Sequence, residues 1–158
     1  MNEHDITAKW VKKAAIDLQS ADVLLGAGIA SNSCYFSQQA GEKILKGYLS
    51  TFTDEIPRTH NVGQLCRQCM DNDASFSEIL RISTDLTEFA TATRYPGGVD
   101  LSKEDAEEAI QKAGRIFVFT QNHMELLEQD FDEEPDFEDK SDFDEEPEQS
   151  GPTMRMSF

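Results

Sequence analysis

The sequence predicts an all-α protein, an up-down antiparallel four-helix bundle with one extra short helix. Three observations lead to this fold class. Apolar residues recur every three to four positions through four long segments, and capping residues or glycines border those segments. The period-two alternation of a β-strand is weak along all 158 residues. A chain of this length can bury one full core.

The first predicted helix runs from about Asp5 to Leu25. Asp5 provides a capping carboxylate at its start, and Gly26 and Gly28 follow its end. Its apolar face consists of Trp10, Ala14, Leu18, Ala21 and Leu25.

The second predicted helix ends near Phe52, and the side-chain oxygens of residues Ser31 to Ser33 are expected to cap its start. An apolar residue recurs at every fourth position, which places these residues along one side of the helix. The stripe consists of Phe36, Ala40, Ile44 and Tyr48, and the polar residues interleaved with it are Gln39, Glu42, Lys43 and Lys46.

Two further helices are predicted after the loop that contains Pro57. The first is short, over residues 61–71, and the second covers residues 75–92. The second should end near Arg94, because Pro96 disfavours helical geometry in the residue before it and two glycines follow.

The last predicted helix begins after Ser102 and runs to about Leu127. Ser102 and Asp105 form a variant of the capping box, and acidic residues in the first turn complement the helix dipole. Its apolar positions are Ala106, Ala109, Ala113, Phe117, Thr120, Met124 and Leu127. We therefore assign residues 1–127 to one helical domain.

Residues 128–158 have a different composition. They contain 13 acidic and 2 basic residues, and the segment Phe-Asp-Glu-Glu-Pro occurs at residues 131–135 and again at residues 143–147. Such an acidic repeat is expected to form a disordered tail, because it has too little apolar surface to fold alone. An alternative is that the tail mimics phosphate and competes with an anionic ligand.

Composition limits the possible functions. Residues 1–127 contain 18 acidic and 12 basic residues, a net charge of −6, so most of the net charge of −17 belongs to the tail. Nothing in the sequence resembles a broad basic surface for duplex nucleic acid, although a local basic site remains compatible with it. Cys66 and Cys69 form a Cys-x-x-Cys segment without a second pair or a nearby histidine pair, so we interpret them as structural thiols. We expect no metal and no cofactor. No membrane span or signal-peptide core is visible, which predicts a cytoplasmic protein without membrane contact.

Three short motifs in this helical frame resemble the HEPN domain family. They are the run of residues 38–43, Gln-Gln-Ala-x-Glu-Lys; Thr59-His60; and residues 94–96, Arg-Tyr-Pro. The resemblance covers about residues 8–127. It implies a helical bundle that forms a homodimer, and the Arg-Tyr-Pro branch is often paired with a minimal nucleotidyltransferase in toxin–antitoxin or two-component nucleotide-handling systems.

Many members of this family are metal-independent ribonucleases with an arginine, four to six residues, and then a histidine. This chain departs from that pattern. One residue separates Arg58 from His60, and seven separate Arg115 from His123. The spacing argues against an enzyme of the usual kind.

The candidate ligand-binding residues are Lys43, Lys46, Arg94 and Tyr95, with His60 and Arg94 as candidate catalytic residues. Lysine and arginine can bind phosphate, and a tyrosine ring can stack on a base. Structural alternatives remain open: Lys46 can pair with Glu42 on a helix surface, Arg94 can complement a helix dipole, and His60 can bond backbone in a loop. Three functions therefore remain open. The first is a nucleotide- or RNA-phosphate-binding module with a nucleotidyltransferase partner, the second a divergent ribonuclease, and the third a non-catalytic scaffold.

Overall fold

A computed structural model describes residues 3–92, 96–97 and 100–144, and the side chains of residues 5–89, 96–97 and 100–130. Helices follow one another along these ranges, which contain no β-strand, so the predicted all-α fold class is confirmed. The elements are α1 (Glu3–Gly26), α2 (Ala30–Leu49), α3 (Val62–Met70), a 3₁₀ helix (Ala74–Ile79), α4 (Leu80–Ala92) and α5 (Lys103–Asp144). No helix in this part of the chain is both long and apolar enough to cross a membrane.

The chain divides into two compact units, residues 1–122 and residues 123–158. The first unit contains α1 to α4 and the N-terminal half of α5. In the second unit, the described residues are the C-terminal part of α5.

Helices α1 and α2 form an antiparallel hairpin. Thr7 near the start of α1 and Ser50 just after α2 have their hydroxyl oxygens 2.7 Å apart. The turn between the helices contains Gly28 with φ +81°, a left-handed conformation that glycine adopts without steric cost. The prediction that serines cap α2 is wrong, because α2 already begins at Ala30 and has no side-chain cap. Ser33 lies inside α2, where its hydroxyl donates to the Ala21 carbonyl across the hairpin.

Helix α2 contacts α1, α3 and α4 in the first unit, and neighbouring helices pack closely against it at Gly41. A Cβ atom on Gly41 would lie 2.8 Å from Leu86 of α4 and 3.8 Å from Ile116 of α5. Only glycine therefore fits there without displacing Leu86. Aromatic rings extend this core, since Phe76 of the 3₁₀ helix packs against Tyr48 of α2 and Phe119 of α5.

Helix α3 begins where predicted, whereas the segment after it begins differently. Asn61 caps α3 by accepting a hydrogen bond from the Gln64 backbone N–H. The helix predicted over residues 75–92 is instead a 3₁₀ helix followed by α4. Its first turn is shaped by Asp73, whose carboxylate accepts from both the backbone N–H and the hydroxyl of Ser75.

Helix α5 confirms the predicted capping box and exceeds the predicted length. The Ser102 hydroxyl accepts from the Asp105 N–H, and the Asp105 carboxylate accepts from the Ser102 N–H. The helix was expected to end near Leu127 but continues to Asp144. Residues 128–134 contain no glycine or proline, which favours extension of the helix as far as Pro135, because each residue added to a formed helix gains one hydrogen bond. The disordered tail stays a prediction, and residues 145–158 lie outside the described part of the chain.

Candidate functional site

A row of buried polar side chains runs along one side of α2. Gln38, Glu42 and Lys46 are spaced four residues apart, so they stack on the same helix face. Their residues are 2%, 4% and 6% exposed, respectively. Charged and amide groups are rarely buried so deeply unless their polar atoms are paired. We call Gln38, Glu42, Lys46 and His60, which joins the row from a loop, the Glu42 cluster.

The ion pair between Lys46 and Glu42 is the innermost contact of the Glu42 cluster. Lys46 Nζ lies 2.9 Å from Glu42 Oε2, and the side chains are 8% and 5% exposed. The same ammonium group lies 5.9 Å from the centroid of the Trp10 ring on α1, within the range of a cation–π interaction. The predicted pair with Glu42 is present, but it lies in the interior instead of on a helix surface.

His60 reaches the Glu42 cluster from the loop before α3. Its Nδ1 atom is 3.2 Å from both carboxylate oxygens of Glu42, and its carbonyl oxygen accepts a hydrogen bond of 2.7 Å from Gln38 Nε2. The imidazole side chain is nevertheless 66% exposed. One edge of the ring is thus fixed against α2 while most of its surface faces solvent.

Local capping interactions hold His60 in this position. The Thr59 hydroxyl accepts from the Asn61 N–H and lies 3.1 Å from the Gln64 side-chain oxygen. Asn61 caps α3, and the Val62 N–H donates to the Thr87 hydroxyl of α4. The backbone on the C-terminal side of His60 is therefore tied to two helices, which limits where the ring can lie.

Lys43 lies beside the Glu42 cluster and has its own carboxylate partner. Lys43 Nζ is 2.7 Å from Asp17 Oδ2 of α1, and the side chains are 25% and 10% exposed. The two lysines are thus each matched by one carboxylate, which leaves these four side chains with no net formal charge. The charge of the site then depends on whether His60 is protonated.

The structure brings some of the predicted site residues together and does not describe the others. It brings Lys46 and His60 to the same carboxylate of Glu42, whereas Lys43 is held by Asp17. Arg94 and Tyr95 lie outside the described residues. Gly97, which directly follows the Arg-Tyr-Pro motif, has φ +84°, as expected for a glycine in a turn.

Four residues of the site were not among the predicted site residues: Trp10, Asp17, Gln38 and Glu42. The sequence does contain a signal for Gln38 and Glu42, because their spacing of four residues from each other and from Lys46 places them on a single helix face. Trp10 and Asp17 belong to another helix, and no local pattern links them to the lysines.

The cysteines are placed as structural thiols. Cys34, Cys66 and Cys69 are all free and buried. Burial raises the pKa of the Cys66 and Cys69 thiols, and it raises the pKa of Cys34 to about 11, with a further contribution from Asp105. A neutral buried thiol is a poor nucleophile and a poor metal ligand. Within the part of the chain that the structure describes, no group of three or more His, Cys, Asp or Glu side chains is arranged so that it could hold a metal ion.

An open cleft of about 310 Å³ is lined by residues of α4 and α5. Its lining residues are Asp85, Glu88, Phe89 and Glu108. Lys112 lies 3.0 Å from Glu108 and 3.8 Å from Asp85 and so balances part of this charge. The remaining negative charge makes the cleft unsuitable for a phosphate.

Comparisons with known proteins give one family. The model of the HEPN domain matches residues 7–123, well over half of the chain. The fold is similar to that of TT1696 from Thermus thermophilus, with 24% identity, a TM-score of 0.67, and coverage of 73% of this chain and 96% of that one. It is also similar to ST0689, an archaeal HEPN homologue, with 29% identity, a TM-score of 0.62, and coverage of 74% and 96%. No curated protein matches the sequence.

Proposed function

The chain belongs to the HEPN domain family, and on that premise we propose that it is a binding module for a nucleotide or RNA phosphate that acts beside a minimal nucleotidyltransferase. The ligand would contact His60 and the neighbouring surface of α2. Lys43 supplies a partly exposed ammonium group there. Arg94 and Tyr95 are included as ligand-binding residues only because the Arg-Tyr-Pro motif resembles that of the family.

The observation that supports the proposal is the way in which His60 is held. Its Nδ1 edge contacts a carboxylate that is 5% exposed, while the ring itself is 66% exposed. A ring held at one edge in this way leaves most of its surface accessible to a ligand. Here the Nε2 edge is the one not fixed by Glu42, and in the imidazolium form it can donate a hydrogen bond to a phosphate oxygen.

Removal of the His60 ring should weaken ligand binding. We expect His60→Ala to bind adenosine monophosphate and a single-stranded oligoribonucleotide about ten- to a hundredfold less tightly than the wild type. A hydrogen bond to a charged group contributes about 1.5–3 kcal/mol, which corresponds to that range. Isothermal titration calorimetry measures the dissociation constants directly.

The matched control is His123→Ala, which removes the same side chain from another part of the chain. Its affinity should equal that of the wild type, and circular dichroism should show that both variants remain folded. If His60→Ala binds both ligands as tightly as the wild type does, His60 is not the contact and the proposed site is wrong.

The same contact supports a second candidate function, RNA cleavage. A carboxylate at Nδ1 fixes the imidazole ring with Nε2 directed outward, which is the arrangement that a general acid or base requires. Arg58, two residues before His60, would stabilise charge on the phosphate. Cleavage of a labelled RNA in the presence of a chelator, lost in His60→Ala and kept in His123→Ala, would favour this function. Equal cleavage by His60→Ala and the wild type would exclude it.

The partner and the oligomeric state are part of the same proposal. A homodimer would use an exposed face of a helix, and α1 presents Ile16 and Val23 there, 50% and 65% exposed and seven residues apart. Purification from the native host with mass spectrometry and light scattering tests both points. Recovery of a monomer without a nucleotidyltransferase, together with absent nucleotide binding, would leave the non-catalytic scaffold.

A further inference from the structure

Glu42 contacts His60 at one ring nitrogen, Nδ1, which lies 3.2 Å from both carboxylate oxygens. A carboxylate accepts hydrogen bonds and cannot donate them, so Nδ1 must carry the proton that lies between His60 and Glu42. In the neutral ring this leaves Nε2 without a proton. The direction of the hydrogen bond holds only while Glu42 is ionised.

Lys46 is the group that pairs with the buried carboxylate of Glu42. The carboxylate is 5% exposed, and a buried charge without a partner is costly enough that the group takes up a proton instead. Lys46 Nζ, 2.9 Å away, compensates that charge, and the Trp10 ring lies 5.9 Å from the same ammonium group. If Lys46 lost its charge, a protonated Glu42 could donate to Nδ1, and the His60 proton would move to Nε2.

Gln38 fixes the other end of the histidine. Its side-chain nitrogen donates to the His60 carbonyl at 2.7 Å and lies 3.4 Å from Glu42 Oε1. Its side-chain oxygen accepts from Gln39 Nε2 at 2.9 Å, which fixes the orientation of the amide. The backbone of His60 therefore has little freedom to carry the ring away from Glu42.

We propose that Lys46 and Gln38 are positioning residues that hold His60 in the Nδ1–H tautomer, which leaves Nε2 as the nitrogen that takes up a proton and then donates a hydrogen bond to a phosphate oxygen of the ligand. Lys46 acts through the charge of Glu42, and Gln38 acts through the backbone of His60. Neither residue needs to touch the ligand. The proposal rests on the proposed function only for the use made of Nε2.

The test is the tautomer of His60 in the ligand-free protein, measured by long-range ¹H–¹⁵N correlation NMR at a pH where the ring is neutral. Two single variants are compared with the wild type. Lys46→Met removes the charge and keeps the apolar stem, and Lys46→Arg keeps the charge. We expect the Nδ1–H form to predominate in the wild type and in Lys46→Arg, and the Nε2–H form to predominate in Lys46→Met.

A double variant provides the test if Lys46→Met does not fold. The double variant Glu42→Leu with Lys46→Met leaves neither a buried charge of this pair nor an acceptor beside Nδ1, and it should also lose the preference for Nδ1–H. A predominant Nε2–H form in the wild type, or an unchanged Nδ1–H preference in a folded variant without Lys46, would overturn the proposal. Because no ligand is present, this result is independent of whether His60→Ala weakens nucleotide binding.

Discussion

Replacement of Glu42 by alanine is expected to lower the free energy of unfolding by about 3–5 kcal/mol, the usual cost of breaking a buried ion pair. The ammonium group of Lys46 is 8% exposed and would lose its carboxylate. Gln38 and His60 would lose an acceptor as well. Urea denaturation followed by circular dichroism gives the difference in free energy, provided that the slope of the transition stays the same.

The control for this prediction removes both charges at once. The double variant Glu42→Leu with Lys46→Met leaves no unpaired charge in the interior and should recover most of the stability lost in Glu42→Ala. It should not recover the fixed orientation of His60. A loss of less than about 1 kcal/mol in Glu42→Ala would place the pair among the weak surface salt bridges and contradict the buried cluster.

Replacement of Phe76 by alanine should also cost about 3–5 kcal/mol, because the cavity left by a buried aromatic ring refills only in part. Phe76 is 0% exposed, and its ring centroid lies 4.5 Å from that of Tyr48 and 5.1 Å from that of Phe119. It therefore joins the 3₁₀ helix to both α2 and α5. Thermal and urea unfolding measure the loss.

Phe52→Ala is the matched control for Phe76→Ala. Phe52 also packs against Tyr48, with the ring centroids 5.2 Å apart, but it is 44% exposed. Removal of the Phe52 ring deletes fewer buried apolar contacts and leaves a site that water can fill. The free energy of unfolding should therefore fall clearly less than in Phe76→Ala. Equal losses in the two variants would show that Phe76 does not join the helices as described.

The sequence was sufficient for the fold class because its signals are local. The Ser102–Asp105 capping box forms as predicted, and the buried Ala14 and Ala21 lie on the predicted face of α1. The wrong prediction for the start of α2 came from a tertiary contact that competes with local capping. Ser33 has a capping side chain, yet its hydroxyl bonds to Ala21 of the neighbouring helix, and no sequence motif distinguishes these two uses.

The candidate site could be predicted only in part, because its contacts join distant segments. His60 and Glu42 are 18 residues apart, and their contact depends on the position of a loop that the hydrogen bonds of Thr59 and Asn61 hold in place. The pairing of Lys46 with Glu42 follows from their spacing on α2. The burial of this pair near the Trp10 ring does not follow from the spacing, because it depends on how α1 packs on α2. Because the pair is buried, the Glu42 carboxylate is held in a fixed position against His60.

NMR titration of the histidine rings with adenosine monophosphate tests most directly whether His60, held by Glu42, faces an anionic ligand. We predict that the ring signals of His60 shift saturably, with the dissociation constant found by calorimetry, while those of His123 do not change. Unchanged His60 signals at ligand concentrations where calorimetry detects binding would place the ligand elsewhere and contradict the proposed site.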